Sequence, residues 1–235
     1  MKQLSYIFDV DGTLSPSRGK IDSEFLQWFS KFVDKNAVYL VTGSDKPKTI
    51  EQITEYVYNR CVKVYQCSGA EVYQRDDVIY KSDWLAPPSL HAALSIELKL
   101  NKFPLRTGNH IEQRTGLLNY SVVGRNCTLD ERKLYVEYDI ENNDRKQTAQ
   151  RLRKHFPDIE FKVAGETGID ITPIGGDKSQ ILRDFNNNDH IYFFGDKTSK
   201  EGNDYEIYEA VKSLPNGKAF TVMEWKNTWH ILKNI

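Results

Sequence analysis

The apolar segment over residues 4–10 runs straight into Asp9-Val10-Asp11-Gly12-Thr13, and that junction constrains the chain more than any other feature. A short apolar run that stops at a glycine turn reads as a buried strand. In an open parallel sheet, ligands bind at the carboxyl ends of the strands. Asp9, taken as the last residue of the strand, projects its carboxylate into that crevice. The turn at Gly12 lets the Asp11 side chain swing back to the same place. Two carboxylates on one tight turn serve two purposes. They hold Mg²⁺, which prefers oxygen ligands, and they divide the roles of nucleophile and proton carrier. The plainer alternative is an Asx-type turn that only shapes the backbone.

Beyond this junction the chain has the rhythm of an α/β sheet. Phe25, Leu26, Trp28, Phe29, Phe32 and Val33 recur at helical spacing over 22–34, with Asp22 or Ser23 as the cap. An apolar strand over 37–41 ends in Thr42-Gly43-Ser44, and a helix is predicted over 47–57, where Pro47 suits the first turn. A strand over 62–65 and a hairpin over 71–80, turning at Asp76-Asp77, complete this stretch. Strand, helix, strand, helix, strand implies right-handed parallel crossovers. The middle of the chain breaks the rhythm. A helix over 90–101, strand-like alternation over 108–123, an ambiguous stretch over 130–139, a basic helix over 144–155 and strands over 159–163 and 168–172 suggest an α+β insert. The first rhythm then returns: a helix start over 179–185, a strand over 191–194 ending in Gly195-Asp196, a helix over 205–213 and a strand over 219–222. The predicted organisation is a parallel-sheet core from residues 1–82 and 174–235, interrupted by an inserted domain over 83–173.

Composition removes several classes of function. A hydrophobic content of 39% supplies a core. Thirty-two basic against 33 acidic residues leave a net charge of −1, which disfavours a protein that tracks a nucleic-acid backbone. No apolar run approaches the roughly 18 residues of a membrane span, and no signal-peptide pattern precedes the first strand, so the expectation is a cytosolic protein. Cys61, Cys67 and Cys127 match neither a disulfide framework nor a zinc spacing and are read as reduced thiols. The sequons at Asn119 and Asn126 carry no meaning in a cytosolic chain.

Three further pieces stand where a site at Asp9 needs them. Thr42 and Gly43, after the second strand, offer a hydroxyl and free backbone N–H groups to a phosphoryl group, although a simple turn reads the same way. Lys178, in Asp177-Lys178-Ser179, is placed to neutralise a phosphorylated aspartate, although a surface lysine is as natural at that point. Asp196, in Gly195-Asp196-Lys197-Thr198 with Gly202-Asn203-Asp204 behind it, is placed to complete a magnesium shell. Each piece alone is weak; four in chain order, each at a strand end or helix start, are strong.

This set resembles the motifs of the haloacid-dehalogenase (HAD) superfamily of phosphotransferases, and the long interval between Ser44 and Lys178 resembles the subgroup with an α+β cap at that point. The resemblance narrows to the eukaryotic-type phosphomannomutase family. Phe8-Asp9-Val10-Asp11-Gly12-Thr13-Leu14-Ser15-Pro16-Ser17-Arg18-Gly19-Lys20-Ile21 is similar to that family's opening, and 193–207 to its metal-site segment. Residues 111–119, Gly124-Arg125-Asn126-Cys127 and Glu131-Arg132 are similar to its sugar-phosphate-binding cap.

The resemblance implies a HAD-like Rossmannoid core with an inserted α+β cap, and an enzyme that interconverts mannose 6-phosphate and mannose 1-phosphate through a hexose 1,6-bisphosphate. It implies Asp9 as the nucleophile and Asp11 as the general acid/base, with Asp11's backbone carbonyl on the metal. Asp196 becomes the third protein ligand to Mg²⁺, and Lys178 steadies the phosphoryl group. Arg18, Arg114, Arg125 and Arg132 clamp the far phosphate and Asp170 holds a sugar hydroxyl. A hexose bisphosphate as activator and a homodimer through the cap are implied in the same way. Arginine's planar fork suits phosphate, while each arginine taken alone is as well explained as a solvated surface residue. Two positions depart from the pattern: Gly168 stands where the family has a serine, and Gly176 where it has an aromatic residue. A cap-bearing sugar-phosphate phosphatase with the same core, and a non-catalytic sugar-phosphate sensor, are the competing readings.

Overall fold

The computed structural model describes residues 4–17, 19–200 and 202–235. The chain divides into two units, Met1–Ser82 with Gly176–Ile235, and Asp83–Gly175. The sequence-based division puts the second boundary at 173, the last residue of a strand; the unit continues through the two residues of the connection.

The first unit is built on a seven-stranded sheet. Its strands are β1 (Leu4–Phe8), β2 (Ala37–Val41), β3 (Lys63–Gln66), β4 (Glu71–Gln74), β5 (Asp77–Lys81), β10 (His190–Gly195) and β11 (Gly217–Thr221), in the order β11-β10-β1-β2-β3-β4-β5. The first five in that order are parallel and the β3-β4-β5 edge is antiparallel. β1, with parallel neighbours on both sides, is buried almost throughout, which explains its unbroken apolar sequence. Asp9 lies one residue beyond β1 and still donates its N–H to Phe194 O (2.9 Å), so the ladder carries it to the carboxyl edge.

Helix α1 (Ser23–Val33) turns Phe25, Phe29 and Val33 onto the sheet and is capped by Asp22, which accepts from Glu24 N and Phe25 N. The predicted helix over 47–57 is two helices, α2 (Lys46–Ile53) and α3 (Glu55–Arg60), split at Thr54 with φ 75°. The reason is a competing bond: Ile21 N donates to Gln52 O (2.8 Å), taking the carbonyl that the next helical turn needs. The hairpin turns at Arg75-Asp76, one residue earlier than predicted, with Arg75 at φ 57°. Lys178–Asp184 is a 3₁₀ helix, and α7 (Tyr205–Lys212) follows β10. Helix α8 (Trp225–Leu232) is an addition to the predicted elements; Trp225 and Trp229 stack on Phe25 at 5.8 and 5.4 Å. Among the described residues, no helix is long and apolar enough to cross a membrane.

The second unit is a four-stranded antiparallel sheet, β6 (Ile111–Arg114), β7 (Leu117–Ser121), β8 (Ile159–Ala164) and β9 (Gly168–Pro173), in the order β6-β7-β9-β8. Leu118, Tyr120, Phe161, Ile169 and Ile171 share a core with residues of α4 (Pro88–Leu100), α5 (Leu129–Asn142) and α6 (Asp144–His155). The ambiguous stretch over 130–139 is α5. It starts at a capping box in which Thr128 and Glu131 satisfy each other's backbone N–H groups, and it ends at Asn143 in the left-handed region.

Candidate active site

The turn after β1 gathers the acids. Gly12 has φ 79°, and a Cβ there would lie 2.3 Å from Asp196 Oδ2, so both backbone and space require glycine. That bare turn lets the carboxylate of Asp196, the residue after β10, come up against the loop carrying Asp9 and Asp11. Gly195 serves the same end, since a Cβ there would lie 2.7 Å from Asp204 Oδ2.

Lys178 is buried, and its ammonium donates to Asp9 Oδ1 and to Asp204 Oδ1, both at 2.6 Å. Thr13 Oγ1 donates to the other oxygen of Asp9 at 3.3 Å. Asp204 Oδ2 accepts from Lys197 N at 3.1 Å. Ligand oxygens of Asp9, Asp196 and Asp204 all lie within 4.8 Å of one another. Asp11 is turned differently: Gln52 Nε2 donates to its Oδ1 at 2.9 Å, and its carboxylate is not in that group. The carboxylates that gather are thus Asp9 and Asp196, both expected, together with Asp204; the ligand expected of Asp11 is its backbone carbonyl, which a turned carboxylate leaves open. Asp204 is the residue that sequence reasoning passes over. Its signal is present in Gly202-Asn203-Asp204, but nothing in the spacing shows that its oxygen meets the same lysine as Asp9.

Three carboxylates around one ammonium leave surplus negative charge in a buried place. Burial is the main cause that pushes the Asp9 carboxyl up to about 7; the Lys178 ammonium opposes it, and Asp204 and Asp196 reinforce it. Asp196 is raised too, by burial first and then by Asp204. Burial by itself disfavours the charged form of Lys178, but Asp204 and Asp9 outweigh it and hold the amine charged. A hard dication relieves this surplus, and every donor is an oxygen, so the residues present fit Mg²⁺.

Beside the acids lies a cleft of about 330 Å³, lined by Asp9, Asp11, Asp196, Thr42, Gly43 and Asn203 among others. The offered N–H groups at 42–44 are fewer than expected. Thr42 N donates to Tyr65 O and Ser44 N to Thr42 Oγ1, which leaves the N–H of Gly43 without an acceptor among the described residues. Arg18 lies outside the described residues.

In the second unit, strand register builds a polar row. Glu112 pairs with Asn119, Asn119 with Asp170, and Asp170 with Lys162, so all four share one face of the sheet. Asn119 Nδ2 donates to Asp170 Oδ1 at 2.6 Å. The carboxyl of Asp170 is raised by burial, against the bond from Asn119 and the charges of Arg114 and Arg125. Those two arginines converge on Glu112: Arg114 Nε and Arg125 Nε reach its Oε2 at 3.0 and 3.3 Å. Arg132 pairs with Glu166 at 3.1 Å. A Cβ at Gly168 would lie 2.8 Å from Asn119 Nδ2, so a serine at this position, as in the family pattern, would require the Asn119 amide to shift from where it leans over Asp170.

A parallel sheet that delivers one aspartate from its central strand to two more aspartates and a buried lysine defines a HAD-like core, here with a separate α+β unit inserted. A solved structure supports this fold: trehalose-6-phosphate phosphatase from Aspergillus fumigatus matches with a TM-score of 0.64 at 15% identity, covering 100% of this chain and 94% of that one. The family model for eukaryotic phosphomannomutase matches residues 24–235, so the chain belongs to that family. It is 34% identical to a phosphomannomutase of Dendrobium officinale over 91% of this chain and 88% of the relative. To one of Drosophila melanogaster it is 31% identical over 99% and 95%.

Proposed function

We propose that the protein moves a phosphoryl group between O6 and O1 of mannose, interconverting mannose 6-phosphate and mannose 1-phosphate. The observation that carries this reading is the buried Lys178 held between Asp9 and Asp204, with Asp196 against the Gly12 turn. In one half-reaction an Asp9 oxygen attacks phosphorus. The Asp9–phosphorus linkage forms as the phosphorus–sugar oxygen bond breaks, and Asp11 gives its proton to the departing oxygen. In the other half Asp11 takes the proton of the incoming hydroxyl, and the phosphoryl group leaves Asp9 for that oxygen. A hexose 1,6-bisphosphate joins the two halves and primes Asp9 when added as activator. Lys178 offsets charge on the phosphoryl oxygens, and Asp204 holds Lys178 in place. Mg²⁺, held by Asp9 and Asp196 with Asp204 and the Asp11 carbonyl available, supplies further charge neutralisation at phosphorus.

Arg114 and Arg125, with Arg132 and Arg18 from other segments, bind the phosphate that is not reacting, and Asp170 accepts from a sugar hydroxyl. A cytosolic setting and a homodimer through residues 83–175 complete the proposal; sedimentation of the purified protein tests the dimer. The deciding experiment supplies mannose 1-phosphate and Mg²⁺ with and without a hexose 1,6-bisphosphate, and follows mannose 6-phosphate and free phosphate together. Bisphosphate-dependent mannose 6-phosphate is expected. Free phosphate alone, indifferent to bisphosphate, would make the protein a sugar-phosphate phosphatase instead.

A further inference from the structure

The arginine pair of the second unit is already closed around an anion, and that anion belongs to the protein. One oxygen, Glu112 Oε2, accepts from Arg114 through Nε (3.0 Å) and Nη2, and lies 3.3 Å from Arg125 Nε. This is the arrangement a phosphate oxygen takes between two guanidinium groups. The side chains of Arg114, Arg125 and Glu112 remain 41%, 41% and 34% exposed, so an external anion can reach all three.

Two carboxylates, Glu112 and Asp170, balance these two arginines. When a phosphate dianion enters, both cannot stay without piling negative charge on one spot. Asp170 is fixed in the middle of the sheet by Asn119 at 2.6 Å. Glu112 stands on β6, an edge strand, and is one-third exposed. Ion pairs this exposed are weak and exchange readily. Glu112 is therefore the carboxylate that gives way.

We propose that Glu112 is a built-in competitor for the substrate's distal phosphate: it holds Arg114 and Arg125 together while the site is free, and is displaced by phosphate on binding. The inference rests on the reading that these arginines bind phosphate. Its consequence is a deliberately moderated affinity. A mutase has to let one bisphosphate turn around between two half-reactions, and a clamp with no internal rival would retain whichever phosphate it met first.

The test uses the full chain in EDTA, which withholds the cation from the Asp9 site, with inorganic phosphate as the probe. Binding is followed at the Nε–H resonances of Arg114 and Arg125. Glu112→Gln, which keeps the shape and removes the charge, is expected to bind phosphate about three- to tenfold more tightly. With Mg²⁺ present it should lower KM for the hexose phosphate and also lower kcat, as release slows. Glu112→Ala repeats the measurement without the amide, and the same tightening is expected. Unchanged or weaker binding in both variants overturns the competitor role and leaves Glu112 a mere spacer. Arg114→Ala and Arg125→Ala separate the clamp from its competitor. If they bind phosphate as the unaltered chain does, the arginine clamp fails, and this inference with it. If they lose binding while the Glu112 variants do not gain it, only this inference fails.

Discussion

At the scale of single residues, the chemistry turns on how few cations face the acids. Asp9→Asn should abolish turnover in a folded protein, because the amide cannot attack phosphorus; turnover near that of the unaltered chain would end the covalent mechanism. Its effect on stability has a definite sign. The folded carboxyl of Asp9 is raised from 3.8 to about 7, chiefly by burial. Folded protein therefore keeps this proton where unfolded protein has lost it. The stabilisation is complete below the unfolded value and disappears as pH rises through the folded one. In EDTA, melting temperature should fall between about pH 4 and pH 7, and Asp9→Asn should flatten that fall. Lys178→Met removes the buried ammonium that bridges Asp9 and Asp204 and should cost about 3–5 kcal/mol in EDTA by urea unfolding, as expected for stranding buried charge. Mg²⁺ should return part of that loss.

Among the elements, the strands are the most legible in sequence, and the reason is burial. β2 and α6 fall where the sequence places them, and the register of β7 with β9 needs only the alternation of Leu118, Tyr120, Ile169 and Ile171. Asp9, Asp196 and Lys178 are legible because each ends a strand or starts a helix. What sequence cannot show depends on bonds between distant segments: Ile21 taking the Gln52 carbonyl and splitting α2 from α3, Asp204 sharing Lys178 with Asp9, and Asn119 closing the space at Gly168. α8 escapes a reading of local pattern because its value is tertiary. Its Thr228, fully buried, donates to Thr13 O at 2.7 Å, so the helix steadies the turn that carries Asp11. Thr228→Val keeps the shape but strands that carbonyl, and should cost about 1–3 kcal/mol in urea unfolding. Thr128→Ala breaks the capping box of α5 and should cost about 1 kcal/mol by the same measurement.

On the scale of the whole molecule, the two units have separate cores, and the tryptophans divide between them. Trp28, Trp225 and Trp229 pack in the first core and Trp84 in the second. Fluorescence of Trp84→Phe therefore reports the first unit alone. Mg²⁺ at 100 times its dissociation constant should stabilise that unit by about 2.7 kcal/mol. Backbone hydrogen exchange should show the four-stranded sheet unmoved; equal protection gained in both sheets would place the cation elsewhere. The first unit is also assembled from both arms of the chain: β1 lies between β2 and β10, and Asp9 meets Lys178 and Asp204 only across that seam. On the ribosome the order matters. At roughly 5–20 residues per second, about 10–40 s pass between synthesis of Asp9 and of Asp204. The inserted unit, contiguous in sequence, has all its strands by then. A half-made chain thus displays Asp9 with no lysine beside it, and translation itself sets the moment at which the acidic cluster is completed.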